Sequence, residues 1–567
     1  MLGLCGEVCL KNDRPSLSGM DIMLQSLPQS AQGYRHVHLS GAICFGAVTS
    51  QQKQGPKSYS ELGLSLCFQG SLCNIPELLE ELASHGVTLA SDDVRNIIAG
   101  AFALWGLDCF ERFEGRFLIA IYEHLRGRFI IARDVMGQEP VYIAHNEAAG
   151  HVIFGTTLPM IARRDDVSSE IDPLSLNLYS SYQSAVPAPF TLLKAVKKLP
   201  AGCVATFECD GTRSNHVFRS VPFGLHTEHE SFEAQDWAAV VKDQLKLGFQ
   251  KLAIDERPIL LEVGEVGKLL QEQIGQPTSA YALSLEGYRD PHLAQLTENW
   301  NGDVQPIMLS RREVFEVLPD ALRAMSEPAP YSNGIYRFAA HQKLGVGGYL
   351  CVESHGLVEA LGAHSWYRHL SGSNDLGRDY AKYVFDRDYG EFKRQISAPY
   401  LDEDFAQSYL TGYFDGDGAS QPLEKVLRFD ILNKIVEGPA NWNTHYQHAL
   451  GAENVRPFLS PAMVALLAAV PLDLKVGNKK LAKALFPERP AAITAQRLPS
   501  LVQFLNGSIS DFFYDVFHSR QARDRQIFNM AYIDHLLDQP ERHLTPTGGS
   551  KLLQAAVIEL WFQTHGL

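Results

Sequence analysis

The sequence has no surplus of basic residues: 50 Lys and Arg stand against 65 Asp and Glu, a formal charge of -15. Nothing in that balance would neutralise a phosphate backbone, which argues against a general nucleic-acid binder. The opening MLGLCGEVCLKND has no basic segment leading into a long apolar run. Neither a signal peptide nor a membrane-spanning helix is therefore expected, and the cytoplasm is the expected location. There is no low-complexity tract and no repeat at solenoid or propeller spacing. There is also no CxxC pair and no Cys/His cluster at zinc spacing. The nine cysteines, eight of them before position 210, are an odd count in a long chain, so they read as buried reduced thiols and no metal site is expected. His36 and His38, on an alternating stretch, read as one face of a strand.

What is present is an ordinary globular composition, 45% hydrophobic over 567 residues, more than one core usually organises, so two large domains are expected. Short Val, Ile, Phe and Leu runs between 35 and 75 and between 115 and 160 predict strands. PELLEELASHG (76 to 86) and DDVRNIIAGAFALWG (92 to 106) carry apolar residues at helical spacing. From about 230 the rhythm changes. A helix through WAAVVKDQLKLGFQKL, a strand at PILLEV, a further helix, and strands at SAYALSLEG and GGYLCVES predict a parallel sheet with crossover helices. Beyond 376 the pattern is mostly helical, and the polar stretch VPFGLHTEHESFEAQ predicts a linker.

Four stretches in order, MLGLCG, CFQGSLCN (67 to 74), WGLDCFERFEGRFLIAIYEHLRGRFIIARDVMGQEPVYI (105 to 143) and VKKLPAGCVATF (196 to 207), resemble a class II glutamine amidotransferase domain of the N-terminal nucleophile type. The third resembles the phrase "erf-G-f-fai-yd … l-ARD-x-G-x-P-ly" of asparagine synthetases and their relatives, the β-lactam synthetases and lasso-peptide cyclases. DALRAMSEPAP (320 to 330) and RPFLSPAMVALLAAVPLDLKVGNKKLAKALFPE (456 to 488) resemble segments of the synthetase domain. The resemblance implies an α+β sandwich at 1–218, a linker at 219–230 and an α/β adenine-nucleotide α-hydrolase-like domain with a helical C-terminal part at 231–567.

It also implies two active sites, and in both this chain departs from the pattern. In the family, removal of Met frees a cysteine whose thiol attacks the glutamine amide while its own amine serves as base. Gly3 and Gly6 fix the register and put Leu2 at that position; a rival register uses Cys5 and requires four residues to be removed. The family's Asn-Gly, which supplies an oxyanion-hole amide, falls on Gln69 and Gly70, with Asn74 closing the motif. Where an arginine should hold the substrate carboxylate the sequence reads LPQSAQGYR. The amine-binding aspartate falls on Asp92, Asp93 or, from Trp105-Gly106, Val94.

The family's pyrophosphate loop, Ser-Gly-Gly-x-Asp-Ser, brings backbone amides to phosphates and an aspartate to magnesium. Here Ser becomes Glu262, the first Gly becomes Val263, Gly264 stays, the aspartate becomes Val266 and the last serine Gly267. Lys268 reads as an ordinary first-turn residue, since GEVGK lacks Walker A spacing. The second magnesium phrase falls on SHGLVEALGAH, which keeps Gly356, Glu359 and Gly362 but has Val358 in place of the aspartate. Both metal positions are therefore valines. Glu327 persists, and Lys479 or Lys480 matches the lysine that stabilises acyl transfer; these three are the catalytic candidates.

Four readings stay open: a repurposed scaffold that binds a partner, a peptide or a small metabolite; an ATP- and magnesium-dependent amide- or lactam-forming ligase of the β-lactam synthetase or lasso-cyclase kind; a divergent asparagine synthetase; and ATP-independent chemistry in the old cleft. For the last, Glu262, Glu265, Lys268, Ser284, Glu286, Glu353, His355 and Glu359 are the expected lining. No cofactor is expected unless the ligase reading holds. The expected partners are a small molecule or peptide in the synthetase or inter-domain cleft and, by analogy with relatives, a second copy or a pathway protein.

Overall fold

The computed structural model describes residues 3–11, 13–27, 33–49, 55–221, 231–252, 257–288, 290–416, 421–487 and 498–567. Leu2, most of the expected linker and the centre of LPQSAQGYR lie outside them. The chain divides into two compact units, one of Met1–Glu170, Ala188–Val221 and Lys251–Ala253, the other of Ile171–Pro187, Pro222–Gln250 and Ile254–Leu567.

The first unit is built on twelve strands: β1 (Gly3–Cys9), β2 (Tyr34–Ser40), β3 (Ile43–Thr49), β4 (Lys57–Tyr59), β5 (Leu64–Leu72), β6 (Gly115–Glu123), β7 (Arg128–Arg133), β8 (Tyr142–Asn146), β9 (His151–Gly155), β10 (Val196–Lys198), β11 (Cys203–Phe207) and β12 (Arg213–Val217). They form two six-stranded sheets, ordered β10-β8-β9-β1-β3-β2 and β12-β11-β7-β6-β5-β4. Leu4, Val8, Phe45 and Phe154 of the first sheet share one buried core with Leu118, Phe129 and Ile131 of the second. Each such side chain contributes about 1.5–3 kcal/mol of transfer free energy.

Both sheets are also covered on their outer faces, so β1 and β3 are buried along their whole length rather than alternating. Helix α1 (Leu17–Gln25) packs on β3 through Met20, Met23 and Leu24. Helices α2 (Ile75–Ser84) and α3 (Val94–Trp105), at the positions the apolar spacing predicts, cover the second sheet. The result is the four-layer sandwich of an N-terminal nucleophile-type amidotransferase domain.

The phrase carrying the resemblance earns its place structurally. Buried Arg133 donates to the carbonyls of Glu139 (3.1 Å), Leu199 (2.8 Å) and Gly137 (2.5 Å). Asp134 accepts from the amides of Met136 (3.1 Å), Gln138 (3.1 Å) and Glu139 (3.0 Å). The two side chains satisfy the polar backbone of the buried 134–139 turn.

The second unit has a five-stranded sheet of β13 (Ile259–Glu262), β14 (Ser279–Leu285), β15 (Val304–Leu309), β16 (Leu350–Val352) and β17 (Glu453–Val455), ordered β15-β14-β13-β16-β17 and parallel at every pairing. The chain runs outward from β13 to β15 and returns to place β16 on the other side of β13. A crevice therefore opens at the carboxyl ends of β13 and β16, where ligands bind in open parallel sheets. Among the described residues no helix is long and apolar enough to cross a membrane.

Candidate functional site

A cavity of about 440 Å³ occupies that crevice. Its floor is the turn from β13 into helix α4 (Glu265–Ile274). Ile259, Leu260 and Leu261 are buried, which anchors the strand so that Glu262 and Val263 emerge at the cavity wall. The turn is tight: a Cβ on Gly267 would sit 2.2 Å from the Glu262 carbonyl oxygen. A serine therefore cannot occupy position 267 in this backbone.

Glu262 does not face empty space. Its Oε2 accepts from Arg337 Nε (2.8 Å) and from the Tyr281 hydroxyl at 3.4 Å; Arg337 comes from helix α5 (Ser332–Leu344). Behind Tyr281 the chain continues through His341 Nε2 (3.0 Å) and on to Gln447, whose Nε2 lies 3.0 Å from His341 Nδ1. An amide N–H can only donate, so Nδ1 accepts, Nε2–H donates to the phenol and the phenol donates to Glu262. Burial pushes the His341 pKa down to about 4, in keeping with a neutral ring. The charge on Glu262, opposed by burial, raises that of Arg337.

The second wall follows β16. Glu353 Oε2 accepts from Arg456 Nε (2.8 Å) and lies 3.2 Å from His355 Nδ1, while Glu353 Oε1 accepts from Asn443 Nδ2 (3.1 Å). Burial alone would raise the Glu353 carboxyl, but Arg456 and His355 outweigh it and hold the group well below the ordinary range. Beyond lies the short helix α6 (Leu357–Ala360), which brings Val358 and Glu359 to the wall. Glu359 meets His364 at 3.3 Å and Lys434 at 3.9 Å. Lys434 also pairs with buried Asp430 (3.2 Å), which takes the hydroxyls of Tyr367 and Tyr380.

Of the expected cleft residues, Glu262, Val263, Gly264, Glu265, Val266, Gly267, Glu353, His355, Val358 and Glu359 line the cavity. Lys268, Ser284 and Glu286 do not. Ser284 donates to the Ile307 carbonyl (3.2 Å), and Glu286 accepts from the Arg311 amide (3.1 Å), each turned to local backbone. The three catalytic candidates lie off the wall as well. Lys479, at φ +50°, precedes the helix Lys480–Leu485, on which Lys480 is exposed. Glu327 stands near Tyr331, where burial first, then Asp386 and Glu327, raise the phenol. Tyr281, Arg337, His341 and Asn443 join the cavity from strands and helices far apart in the chain, and no short motif announces them.

At the cavity wall Val266 and Val358 offer no oxygen ligand to a cation, and the turn after β13 holds a carboxylate whose cationic partner is already in place. In the first unit, Cys5 is a mid-strand core residue with its thiol 3.5 Å from Met20 Sδ, and burial raises its pKa far above the usual thiol range. Gln69 donates to Glu139 (2.7 Å). Gly70, at φ +116°, has no room for a side chain, since a Cβ there would sit 2.2 Å from the Arg116 carbonyl oxygen, and Asn74 clasps Arg112 O (2.8 Å) and Glu114 N (3.0 Å). Asp93 caps α3 and pairs with Arg95; Asp92 is exposed, and Val94 is the first residue of that helix.

One group that sequence spacing did not anticipate is Glu7, Cys9 and His151, which adjacent strands gather within 4.8 Å. Glu7 there is already held by Arg164 (2.6 Å) and His151 (2.8 Å).

Residues 4–218 match the family model for a glutamine amidotransferase domain, and residues 265–563 that for asparagine synthase. A Mycobacterium tuberculosis H37Rv protein assigned as an asparagine synthetase [glutamine-hydrolyzing] is 31% identical over 148 residues, 26% of this chain and 22% of its own. Asparagine synthetase [glutamine-hydrolyzing] 1 of Bacillus subtilis strain 168 is 27% identical over 221 residues, 37% of this chain and 34% of its own. The chain thus spans about a quarter to a third of the length of these relatives. A solved B. subtilis glutamine phosphoribosylpyrophosphate amidotransferase, complexed with ADP and GMP, covers 54% of this chain and 81% of its own at 10% identity; its TM-score of 0.29 carries no argument.

Proposed function

The chain belongs to the asparagine synthetase family, and from that premise we propose that it is a repurposed member, binding a small ligand in the synthetase-type cleft without ATP, magnesium or glutamine hydrolysis. The observation that carries this reading is the pair Glu262–Arg337, an internal carboxylate and guanidinium at the turn that would otherwise hold phosphates. The two cavity-facing valines, Val266 and Val358, support it from the metal side. In the amidotransferase-like unit, the burial of Cys5 and the internal pairing of Gln69 and Asn74 argue in the same direction.

The cleft itself is intact. It keeps a defined volume, an apolar wall and fixed polar groups, as expected of a ligand site rather than of a collapsed relic. A ligand that binds only the folded state raises the melting temperature, by about 2.7 kcal/mol of added stability at a hundredfold excess over Kd. A thermal-shift screen is expected to return small organic ligands and no response to ATP with magnesium. A response to the nucleotide instead would reinstate the adenylating ligase.

A further inference from the structure

Resting on the reading of the cleft as a nucleotide-free ligand site, we propose that His355 is the proton acceptor of the cavity, positioned by Glu353, and that the ligand it serves is a small organic cation with an apolar body. Both residues follow directly from the end of β16, so the strand delivers them side by side. The Glu353 carboxylate can only accept, and Arg456 donates to the same oxygen at 2.8 Å. The His355 nitrogen 3.2 Å away is therefore the one that carries hydrogen, which leaves the lone pair on Nε2. Asn443 Nδ2 donates to Glu353 Oε1 (3.1 Å) and makes a longer approach, 3.5 Å, to the Nε2 lone pair, which a ligand proton would displace.

His292 and His341 also line the cavity; the buried His341 is held at both nitrogens, by Tyr281 and Gln447 at 3.0 Å. His355 has the pairing of a general base, with an orienting carboxylate behind Nδ1 and an acceptor at Nε2 that meets the Asn443 amide at 3.5 Å, a longer approach than either contact on His341.

The wall sets the ligand class. Of the five carboxylates on the wall, Glu262, Glu353 and Glu359 meet Arg337, Arg456 and Lys434, while Glu265 and Asp290 add negative charge beyond those pairs. Such a surface disfavours a polyanion and favours positive charge. Leu293, Leu296, Val266, Val358 and Ile435 supply apolar area for the rest of the molecule. In the step itself, Nε2 takes one proton from the bound ligand and the electron pair stays on the ligand atom. Glu353 offsets the charge of the imidazolium, and the same proton returns before release, so no nucleotide, metal or oxidant enters the balance.

The test is carbethoxylation of the full chain by diethyl pyrocarbonate, followed at each histidine by peptide mass spectrometry. His355 is expected to react well ahead of His341, and Glu353→Gln, which removes the acceptor that fixes the Nδ1–H tautomer, to slow it severalfold. n-Butylammonium is expected to protect His355 and inorganic pyrophosphate to leave it exposed. The ratio of His355 to His341 in the native chain needs no variant to fold. A His355 as inert as His341, or an unchanged rate in the variant, overturns the base assignment while leaving the nucleotide-free reading intact. Protection by neither probe overturns the ligand class; protection by pyrophosphate overturns it and counts against the nucleotide-free reading as well.

Discussion

Arg337 Nε stands 2.8 Å from Glu262 Oε2, so the acidic residue at the turn after β13 carries its own counter-charge. On the proposed reading, a polyphosphate would meet a turn whose cation is already engaged, rather than a bare repulsion.

Arg337→Ala removes that partner. Loss of one member of a fully buried pair costs about 3–5 kcal/mol. With side chains 22% and 27% exposed, the expected loss here is nearer ~2 kcal/mol, and Glu262→Gln with Arg337→Met recovers most of it. Urea denaturation of the three proteins checks this, and an unaltered midpoint for Arg337→Ala contradicts it.

Restoring the family's serine by Gly267→Ser is expected to destabilise rather than repair the loop, by ~2 kcal/mol, because its Cβ would meet the Glu262 carbonyl at 2.2 Å. Gly264→Ala is the control. Its backbone is extended and nothing lies within 4 Å of a Cβ there, so its effect should stay within about 0.5 kcal/mol. Melting temperatures of the two variants decide the matter.

Acid should loosen the second unit before carboxylate protonation does. Burial lowers His341 from 6.5 to about 4 and His445 from 6.5 to about 3. Between those values and 6.5 the unfolded chain binds more protons, so stability falls as pH drops through this window and is level above it. Each histidine contributes about 2 kcal/mol of loss between pH 7 and pH 5. Glu353, depressed in the fold, adds its own loss as pH falls below the unfolded value of 4.5. Denaturant titrations at pH 7, 6 and 5 should show the trend, and His341→Gln should flatten it.

Thiol chemistry should separate Cys209 from Cys5. Cys209 is exposed and Cys5 fully buried, so iodoacetamide should label the first in the native chain and the second only on unfolding. A glutamine-analogue electrophile is expected to leave Cys5 unmodified; its rapid labelling would revive the Cys5 nucleophile register.

The elements that carry the cleft were legible because their signals are local. PILLEV, SAYALSLEG and GGYLCVES are short apolar runs between helical stretches, and each supplies a strand of the parallel sheet. The edge strand Glu453–Val455, three residues inside a helical stretch, has no such signal. The wall is harder to read because its polar partners are distant: Arg337 lies 75 positions from Glu262 and Arg456 lies 103 from Glu353. Spacing along the chain says nothing about such pairs. Lys479 and Lys480 match the motif in sequence, and the backbone places them off the cavity wall.

The central claim is tested most directly by calorimetric titration of the purified chain with ATP and excess magnesium, beside the variant Val266→Asp/Val358→Asp. The expected result is no saturable heat from the native chain. Saturable binding at sub-millimolar ATP by the native chain would contradict the account and return the cleft to nucleotide-dependent ligation.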